Sequence, residues 1–218
     1  ARVPMLAEGA AEYGLLVHED GVLDVHALCQ MLLRAAIDAG VTVRTGARVR
    51  SVLVDAGRVR GVRLDGGGTV LADAVVIAAG AWAAELGETC GAPLPIEPRR
   101  RHLAMLVEDE NYPLAEPVIW RMGEEVYFRP ESGGILASPC DEEPWPPGVP
   151  PCSSEMLTRL AELLVQVAPR LARGRTLRTW ACLRSFAPDR GIVVGPDPRL
   201  SGLFWVAGLG GRGMTCGL

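Results

Sequence analysis

The sequence LFWVAGLGGRGMTCGL, residues 203–218, is the most informative part of the chain for its structure. Its first five residues are apolar, aromatic or β-branched and too few for a helix, so they predict a buried strand. Glycine lets a backbone approach a flat or charged ligand, because no Cβ intervenes and positive φ costs little. Met214 and Thr215 are expected to open a helix whose free N–H groups point at that ligand. The glycines of this loop are Gly208, Gly210, Gly211 and Gly213.

Three interpretations fit this glycine loop. Gly208, Gly210 and Gly213 match G-x-G-x-x-G, which is typical of a dinucleotide-binding turn. That turn requires a following helix, a second strand and an acidic residue about 20 residues further on, and residues 214–218 supply none of them. The loop could instead be a plain turn after the last strand, or it could close over a cofactor held mainly by another part of the protein. The rest of the chain decides among them.

Composition excludes several classes of protein. The chain has 218 residues, a net charge of −4, 49% hydrophobic and 22% charged residues, which is ordinary for a soluble fold and gives no basic footprint for nucleic acid. No apolar run is long enough for a membrane span and no signal peptide is recognisable, so we expect a cytoplasmic location, with peripheral membrane association left open. Six cysteines without C-x-x-C spacing and three histidines predict reduced thiols and no metal site.

Residues 74–79 predict a second strand, which differs from the other predicted strands in its pattern of apolar residues. They are apolar on both faces, as in a parallel strand buried between helices. Ala79 and Gly80 follow, and Trp82 opens the next helix. Small residues at the carboxyl end of a parallel strand are where open α/β sheets bind ligands.

The other sequence patterns divide the chain into two regions, a helix followed by several strands and, from residue 99, a mainly antiparallel region. Asp24 caps a helix over 25–39 that Gly40 ends, and strand-like runs follow at 41–44, 48–55, 58–64 and 69–80. The arginines that alternate along these runs are interpreted as a solvated face rather than an anion site. From residue 99 the pattern is antiparallel, with runs at 102–108, 117–120, 124–130, 134–138, 176–186 and 192–195, and with a helix over 155–168 capped by Ser154.

Four motifs occur in a fixed order and carry a family resemblance. They cover residues 20–49 (DGVLDVHALCQMLLRAAIDAGVTVRTGARV), 72–83 (ADAVVIAAGAWA), 179–198 (TWACLRSFAPDRGIVVGPDP) and 203–217. Together they resemble the FAD-dependent amine oxidoreductases that include D-amino acid oxidase, glycine oxidase and sarcosine oxidase. Residues 96–106 and 126–144 most resemble bacterial D-amino acid dehydrogenases of the D-arginine dehydrogenase type.

The resemblance implies an α/β fold: an incomplete Rossmann-like FAD-binding domain over 1–96 and 181–218, and an α+β substrate-binding domain with a mainly antiparallel sheet over 97–180. The family begins with a βαβ unit that carries its own G-x-G-x-x-G and an acidic residue for the ADP ribose. Neither precedes Ala1, so we expect an internal fragment that lacks this unit and most of the final helix. The cysteine that binds flavin covalently in some relatives follows a different pattern, so we expect non-covalent FAD.

The resemblance also implies roles for three substrate-side residues. Arg184 would clamp the substrate carboxylate with two parallel hydrogen bonds; the alternative is an ion pair with an acid such as Asp189. Tyr127 would hydrogen-bond the carboxylate and wall the pocket, unless it is only a half-buried strand aromatic. Arg100 would face the flavin, with Arg99 and Arg101 pointing outward on the strand.

On the cofactor side, the backbone of Val49 would meet the adenine, and Ala79, Gly80 and Trp82 would lie beside the adenosine and pyrophosphate. The residues of the glycine loop would meet the pyrimidine edge of the isoalloxazine ring, which gains negative charge when the flavin is reduced. These loop residues are Gly208, Gly210, Gly211, Arg212, Gly213, Met214 and Thr215.

The implied reaction is hydride transfer from a C–H next to nitrogen onto flavin, which converts a D-amino acid into an imino acid. The alternatives are an amine oxidase of glycine or sarcosine type, and a folded but catalytically inactive fragment that acts as a binding module. The partner is a small amino acid or amine; the electron acceptor is left open.

Overall fold

The computed structural model describes residues 3, 5–107, 117–131 and 133–216. The chain forms two compact units: unit 1 comprises Ala1–Gly14 and Glu97–Ser185, and unit 2 comprises Leu15–Ile96 and Phe186–Leu218. These bounds differ from the predicted ones in two places. Residues 1–14 group with unit 1 rather than with the segment that follows them, and the chain returns to unit 2 at Phe186 rather than at residue 181.

The helices are α1 Val25–Asp38, α2 Ala83–Thr89, α3 Ser154–Val167 and α4 Pro169–Ala172, with a 3₁₀ turn at Gly80–Trp82. The strands are β1 Val49–Asp55, β2 Arg58–Leu64, β3 Thr69–Leu71, β4 Val75–Ile77, β5 Glu97–Leu106, β6 Ile119–Arg121, β7 Val126–Glu131, β8 Gly134–Ser138, β9 Glu143–Pro144, β10 Thr176–Phe186, β11 Val193–Pro196 and β12 Leu203–Ala207. No helix in the described ranges has the length and apolarity needed to cross a bilayer.

Helix α1 of unit 2 begins and ends where the sequence predicts. The Asp24 side chain accepts a hydrogen bond from the Ala27 N–H at 2.9 Å, which satisfies one of the free donors of the first turn. Gly40 has a φ of +91° and ends the helix in the left-handed region that favours glycine. None of the residues of α1 is buried.

Unit 2 contains two three-stranded sheets, ordered β1-β2-β3 and β11-β12-β4. Strand β12 covers the predicted 203–207 and runs parallel to β4, with Trp205 opposite Ile77. Strand β4 is shorter than predicted, and Val76 is 57% exposed. The prediction of burial on both faces is therefore wrong, because nothing in the described residues covers the face of β4 that carries Val76, whereas Ile77 on the other face is 2% exposed.

One further prediction in unit 2 is wrong. Residues 41–44 form no strand, because no strand in the described residues pairs with them. At Met214 the described residues form a single turn, in which the Cys216 N–H donates to the Arg212 carbonyl at 3.1 Å, and the expectation of an incomplete helix there is not contradicted.

Unit 1 is built on one sheet ordered β10-β5-β8-β7-β6, with β9 paired to β5. Helices α3 and α4 supply Leu160, Leu163 and Leu171 to a core that includes Phe128 and Ile135 of the sheet. Helix α3 begins one residue early: Ser153, not Ser154, is the N-cap and accepts from the Met156 N–H at 3.4 Å.

Candidate functional site

The ends of β4 and β12 position the cofactor-side residues of unit 2. Because these strands are parallel, their carboxyl ends lie at the same edge of the sheet. Ala79 and Gly80 therefore follow β4 at the edge where Gly208 follows β12. Gly80 has a φ of +54°, and a Cβ added there would meet no atom within 4 Å, so the backbone is open to a ligand at this point.

A cleft of about 830 Å³ in unit 2 brings together three predicted cofactor residues, Val49, Ala79 and Trp82. Its volume is within the range of about 300–1,000 Å³ that is usual for small-molecule sites. None of the described residues of the glycine loop lines it. The other lining residues are Arg48, Arg50, Asp65, Glu85, Leu86 and Thr89.

The polar side chains that line the cleft differ in how firmly they are held: Thr89 is hydrogen-bonded to neighbouring elements, whereas two arginines form only long, exposed ion pairs. The Thr89 hydroxyl donates to the Leu86 carbonyl at 2.6 Å and accepts from the Val52 N–H at 3.2 Å, which ties α2 to β1. Arg48 and Arg50 approach Asp65 at 3.6 and 3.9 Å, with about three quarters of each arginine side chain exposed. Such solvated pairs are weak, so both cations can turn to an anionic ligand.

The glycine loop is shaped by the packing of unit 2 itself. Gly208 and Gly210 have φ values of +68° and +55°, and a Cβ on Gly210 would lie 2.6 Å from the Phe186 ring. Arg212, whose role the resemblance leaves open, donates from its guanidinium to the Arg190 carbonyl. Gly211, Gly213, Met214 and Thr215 follow in the turn.

Tyr127 of unit 1 lies on the sheet face opposite α3. Its neighbours Val126 and Phe128 pack against the helical core, and side chains alternate along a strand. Burial raises the pKa of the Tyr127 hydroxyl, and the positive charge of Arg184 opposes that shift. The hydroxyl is therefore a neutral hydrogen-bond donor in the electrostatic neighbourhood of Arg184.

Arg184 lies near the end of β10, half-buried. It makes no hydrogen bond or ion pair with the described residues of unit 1. Its charge also lowers the pKa values of Cys140 and Cys182, which burial raises more strongly. A half-buried guanidinium without a carboxylate partner in its own unit is suited to bind a carboxylate from a ligand.

Arg100 is committed to groups of unit 1. Its guanidinium pairs with Glu143 and donates to the Pro151 carbonyl at 3.0 Å, and it stacks 3.9 Å from the centre of the Trp145 ring. By strand alternation it shares the face of Ala104, which packs into the helical core.

Arg101 is a buried cation that sequence reasoning did not include among the candidate site residues. It lies on the face of Tyr127, is 4% exposed, and lowers the pKa values of Tyr127, Cys140 and Cys182. Its guanidinium donates to Glu142 at 3.1 Å, while its Nε is buried without a partner among the described residues. The prediction that Arg101 points outward is wrong, and the three consecutive arginines carried no signal that could fix the register.

Two of the curated proteins similar to this chain are described as an oxidoreductase and a dehydrogenase. It is 30% identical to the uncharacterized oxidoreductase YurR of Bacillus subtilis over 98% of this chain and 56% of the relative. It is 32% identical to a D-amino acid dehydrogenase of Cereibacter sphaeroides over 93% of this chain and 45% of the relative. The chain thus spans about half the length of the curated relatives it matches.

The fold is similar to that of a solved glycine oxidase from Geobacillus kaustophilus, with a TM-score of 0.73 and 26% identity, over 85% of this chain and 49% of that one. The model of the DAO family, described as FAD dependent oxidoreductase, matches residues 1–218. A match over the whole sequence, with the fold to support it, settles the membership: this chain belongs to the DAO family of FAD-dependent oxidoreductases.

Proposed function

We propose that this chain is part of an FAD-dependent oxidoreductase that oxidises the CH–NH group of D-amino acids to imino acids. The observation that carries the proposal is the half-buried Arg184, which has no partner within the described part of unit 1 and shares its surroundings with Tyr127 and Arg101. A guanidinium binds a carboxylate with two charge-assisted hydrogen bonds. The carboxylate is what distinguishes an amino acid from a simple amine.

Three side chains divide the work of binding. Arg184 clamps the carboxylate, and the Tyr127 hydroxyl donates a further hydrogen bond to it. Arg101, whose guanidinium is paired with Glu142, adds a second positive charge on the same sheet face. Since Arg100 is engaged by Glu143 and Trp145, Arg101 replaces it among the proposed substrate-side residues.

The substrate amine must lose its proton before a hydride can leave the neighbouring carbon. Desolvation in an apolar site favours the neutral amine, so no dedicated base is required. His102 is not a base here, because both ring nitrogens are engaged: Nδ1 with Asp141 at 2.7 Å and Nε2 with the Ser153 N–H at 2.8 Å.

The cleft of unit 2 fits the adenosine part of FAD. Val49, Ala79, Gly80 and Trp82 would contact it, and the loosely paired arginines of the cleft would meet its phosphates. The backbone of the glycine loop would contact the ring system, held without a covalent bond. When bound, FAD supplies the hydride acceptor; the protein binds, orients and excludes water.

A second candidate is an amine oxidase of glycine or sarcosine type, which the likeness to the solved glycine oxidase favours. A third is a folded binding module without catalysis. We further propose a cytoplasmic location, since all six cysteines are free and reduced thiols are usual there.

The test uses the full-length gene product. The proposal is supported if the purified protein retains yellow flavin and oxidises D-amino acids in the presence of an artificial electron acceptor. Turnover of glycine and sarcosine with oxygen consumption supports the second candidate. A colourless protein that stays colourless after FAD addition contradicts both.

A further inference from the structure

An aromatic side chain lies exposed on the edge strand of unit 1. Ile119 of β6 packs against the helical core, so its neighbour Trp120 points to the opposite face of the sheet. Trp120 is 59% exposed there. Val118 and Met122 flank the strand and are 48% and 69% exposed. An edge strand and its flanking residues with three exposed apolar side chains are unusual for a surface that contacts only water.

Strand pairing places Trp120 beside the proposed substrate residues. Trp120 is directly opposite Tyr127, and Tyr127 is directly opposite Ser138. Residues directly opposite in an antiparallel pair have Cβ atoms about 5 Å apart on one face. The row therefore runs from the edge of the sheet across Tyr127, on the face that also carries Arg101.

We propose that Trp120 is a specificity-determining residue that receives the side chain of the substrate. The inference rests on the proposed function and adds a substrate class: D-amino acids with a bulky apolar or aromatic side chain, in preference to glycine or sarcosine. With the carboxylate at Arg184 and the hydroxyl of Tyr127, a side chain that extends along the row covers the exposed indole. A substrate without a side chain leaves the indole uncovered and gains nothing from it.

The charged residues near Tyr127 bear on whether the substrate side chain is apolar or basic. Arg129, on the same face as Tyr127, is paired with Glu131 at 2.5 Å. Glu124 is engaged by Arg121 and Arg159 at 3.6 and 3.1 Å. Glu125 directly precedes β7, two residues before Tyr127, and therefore projects to the same sheet face. A preference for a basic substrate side chain would accordingly point to Glu125.

The experiment compares kcat/KM for D-phenylalanine, D-arginine and glycine in the FAD-loaded full-length protein and its variants. We expect Trp120→Ala to lower kcat/KM for D-phenylalanine tenfold or more and to leave glycine within twofold. Trp120→Phe should retain most of the activity on D-phenylalanine. Val165→Ala, at a 60% exposed position of α3, is the matched control and should leave all ratios unchanged.

A binding readout separates recognition from turnover. Calorimetry should show that 3-phenylpropanoate binds the wild-type protein at least tenfold more tightly than acetate, and that Trp120→Ala removes this difference. Amino acid oxidation with an unchanged phenylalanine-to-glycine ratio in Trp120→Ala overturns the inference alone. A preference for D-arginine that Glu125→Gln abolishes also overturns it. If neither 3-phenylpropanoate nor acetate binds and no amine is oxidised, the proposed function is overturned as well.

Discussion

The indole Nε1–H of Trp205 donates a hydrogen bond to Oδ2 of Asp197 at 2.9 Å in the interior of unit 2. The Arg199 guanidinium contacts both oxygens of the same carboxylate, at 3.0 and 2.6 Å, and also donates to the Pro93 carbonyl at 2.8 Å. Asp197 thereby ties the turn before β12 to the strand and to the segment before β5.

Asp197→Ala should destabilise unit 2 by about 2–4 kcal/mol, because the Trp205 N–H is left buried without an acceptor. Denaturant unfolding followed by tryptophan fluorescence measures this. Asp189→Ala is the control, since Asp189 bonds only the Gly191 N–H of its own turn in the described contacts, and it should cost less than about 1 kcal/mol. Equal losses in both variants would contradict the role given to Asp197.

The same carboxylate makes stability depend on pH. Hydrogen bonds from Arg199, then from Trp205, hold the pKa of Asp197 well below its usual range. A depressed folded-state pKa adds stability that is present above the unfolded value, about 3.9, and is lost as pH falls toward the folded value. The free energy of unfolding should therefore drop less between pH 5 and pH 2 in Asp197→Asn than in the wild-type protein; parallel curves would exclude this contribution.

Arg184→Met should raise KM for D-amino acids by roughly 100-fold or more, because two charge-assisted hydrogen bonds to the carboxylate are lost. Steady-state kinetics of the full-length protein measures it. Arg178→Met on the same strand is the matched control, since Arg178 stacks on Trp180 with 4.9 Å between guanidinium and ring centre. An unchanged KM in Arg184→Met would remove this arginine from the site.

Arg100→Met and Arg101→Met test the register of β5 as a pair. Both lose ion pairs with glutamates, so both should lower the free energy of unfolding, by about 1–3 kcal/mol. Only Arg101→Met should also raise KM, because only Arg101 lies on the face of Tyr127. A KM effect in Arg100→Met alone would restore the assignment that the sequence favoured.

Ala79→Leu should weaken FAD binding at least tenfold, because the larger side chain fills the cleft beside Val49 and Trp82. Quenching of flavin fluorescence on titration measures the dissociation constant. Val76→Leu is the control in strand β4, which precedes Ala79, at a position that is 57% exposed and outside the cleft lining. Equal affinity in both variants would show that adenosine does not occupy the cleft.

Local patterns predicted those elements that local chemistry determines. Residues 203–207 and 176–186 are strands to the residue, because their apolar and β-branched side chains and bounding turns leave one choice. The helix that follows Asp24 is likewise determined by local chemistry, because its cap lies within its own first turn. The DAO family and its mixed α/β fold were also recognisable from the order of four motifs.

The failures all depend on partners distant in sequence. Adjacent Ser153 and Ser154 can both cap a helix, and His102, 51 residues earlier, decides by accepting from the Ser153 N–H. Residues 41–44 have strand chemistry but no strand beside them. Three successive arginines at the start of β5 cannot be assigned to faces until Ala104 is seen in the helical core.

Helix α1 buries none of its 14 residues. Helices of this length are marginal in water without packing against other elements, so in this chain α1 rests on its own propensity and the Asp24 cap. Its amide hydrogens should exchange with deuterium orders of magnitude faster than those of β8, whose residues are all buried. On heating, α1 should accordingly unfold well before any of the three sheets.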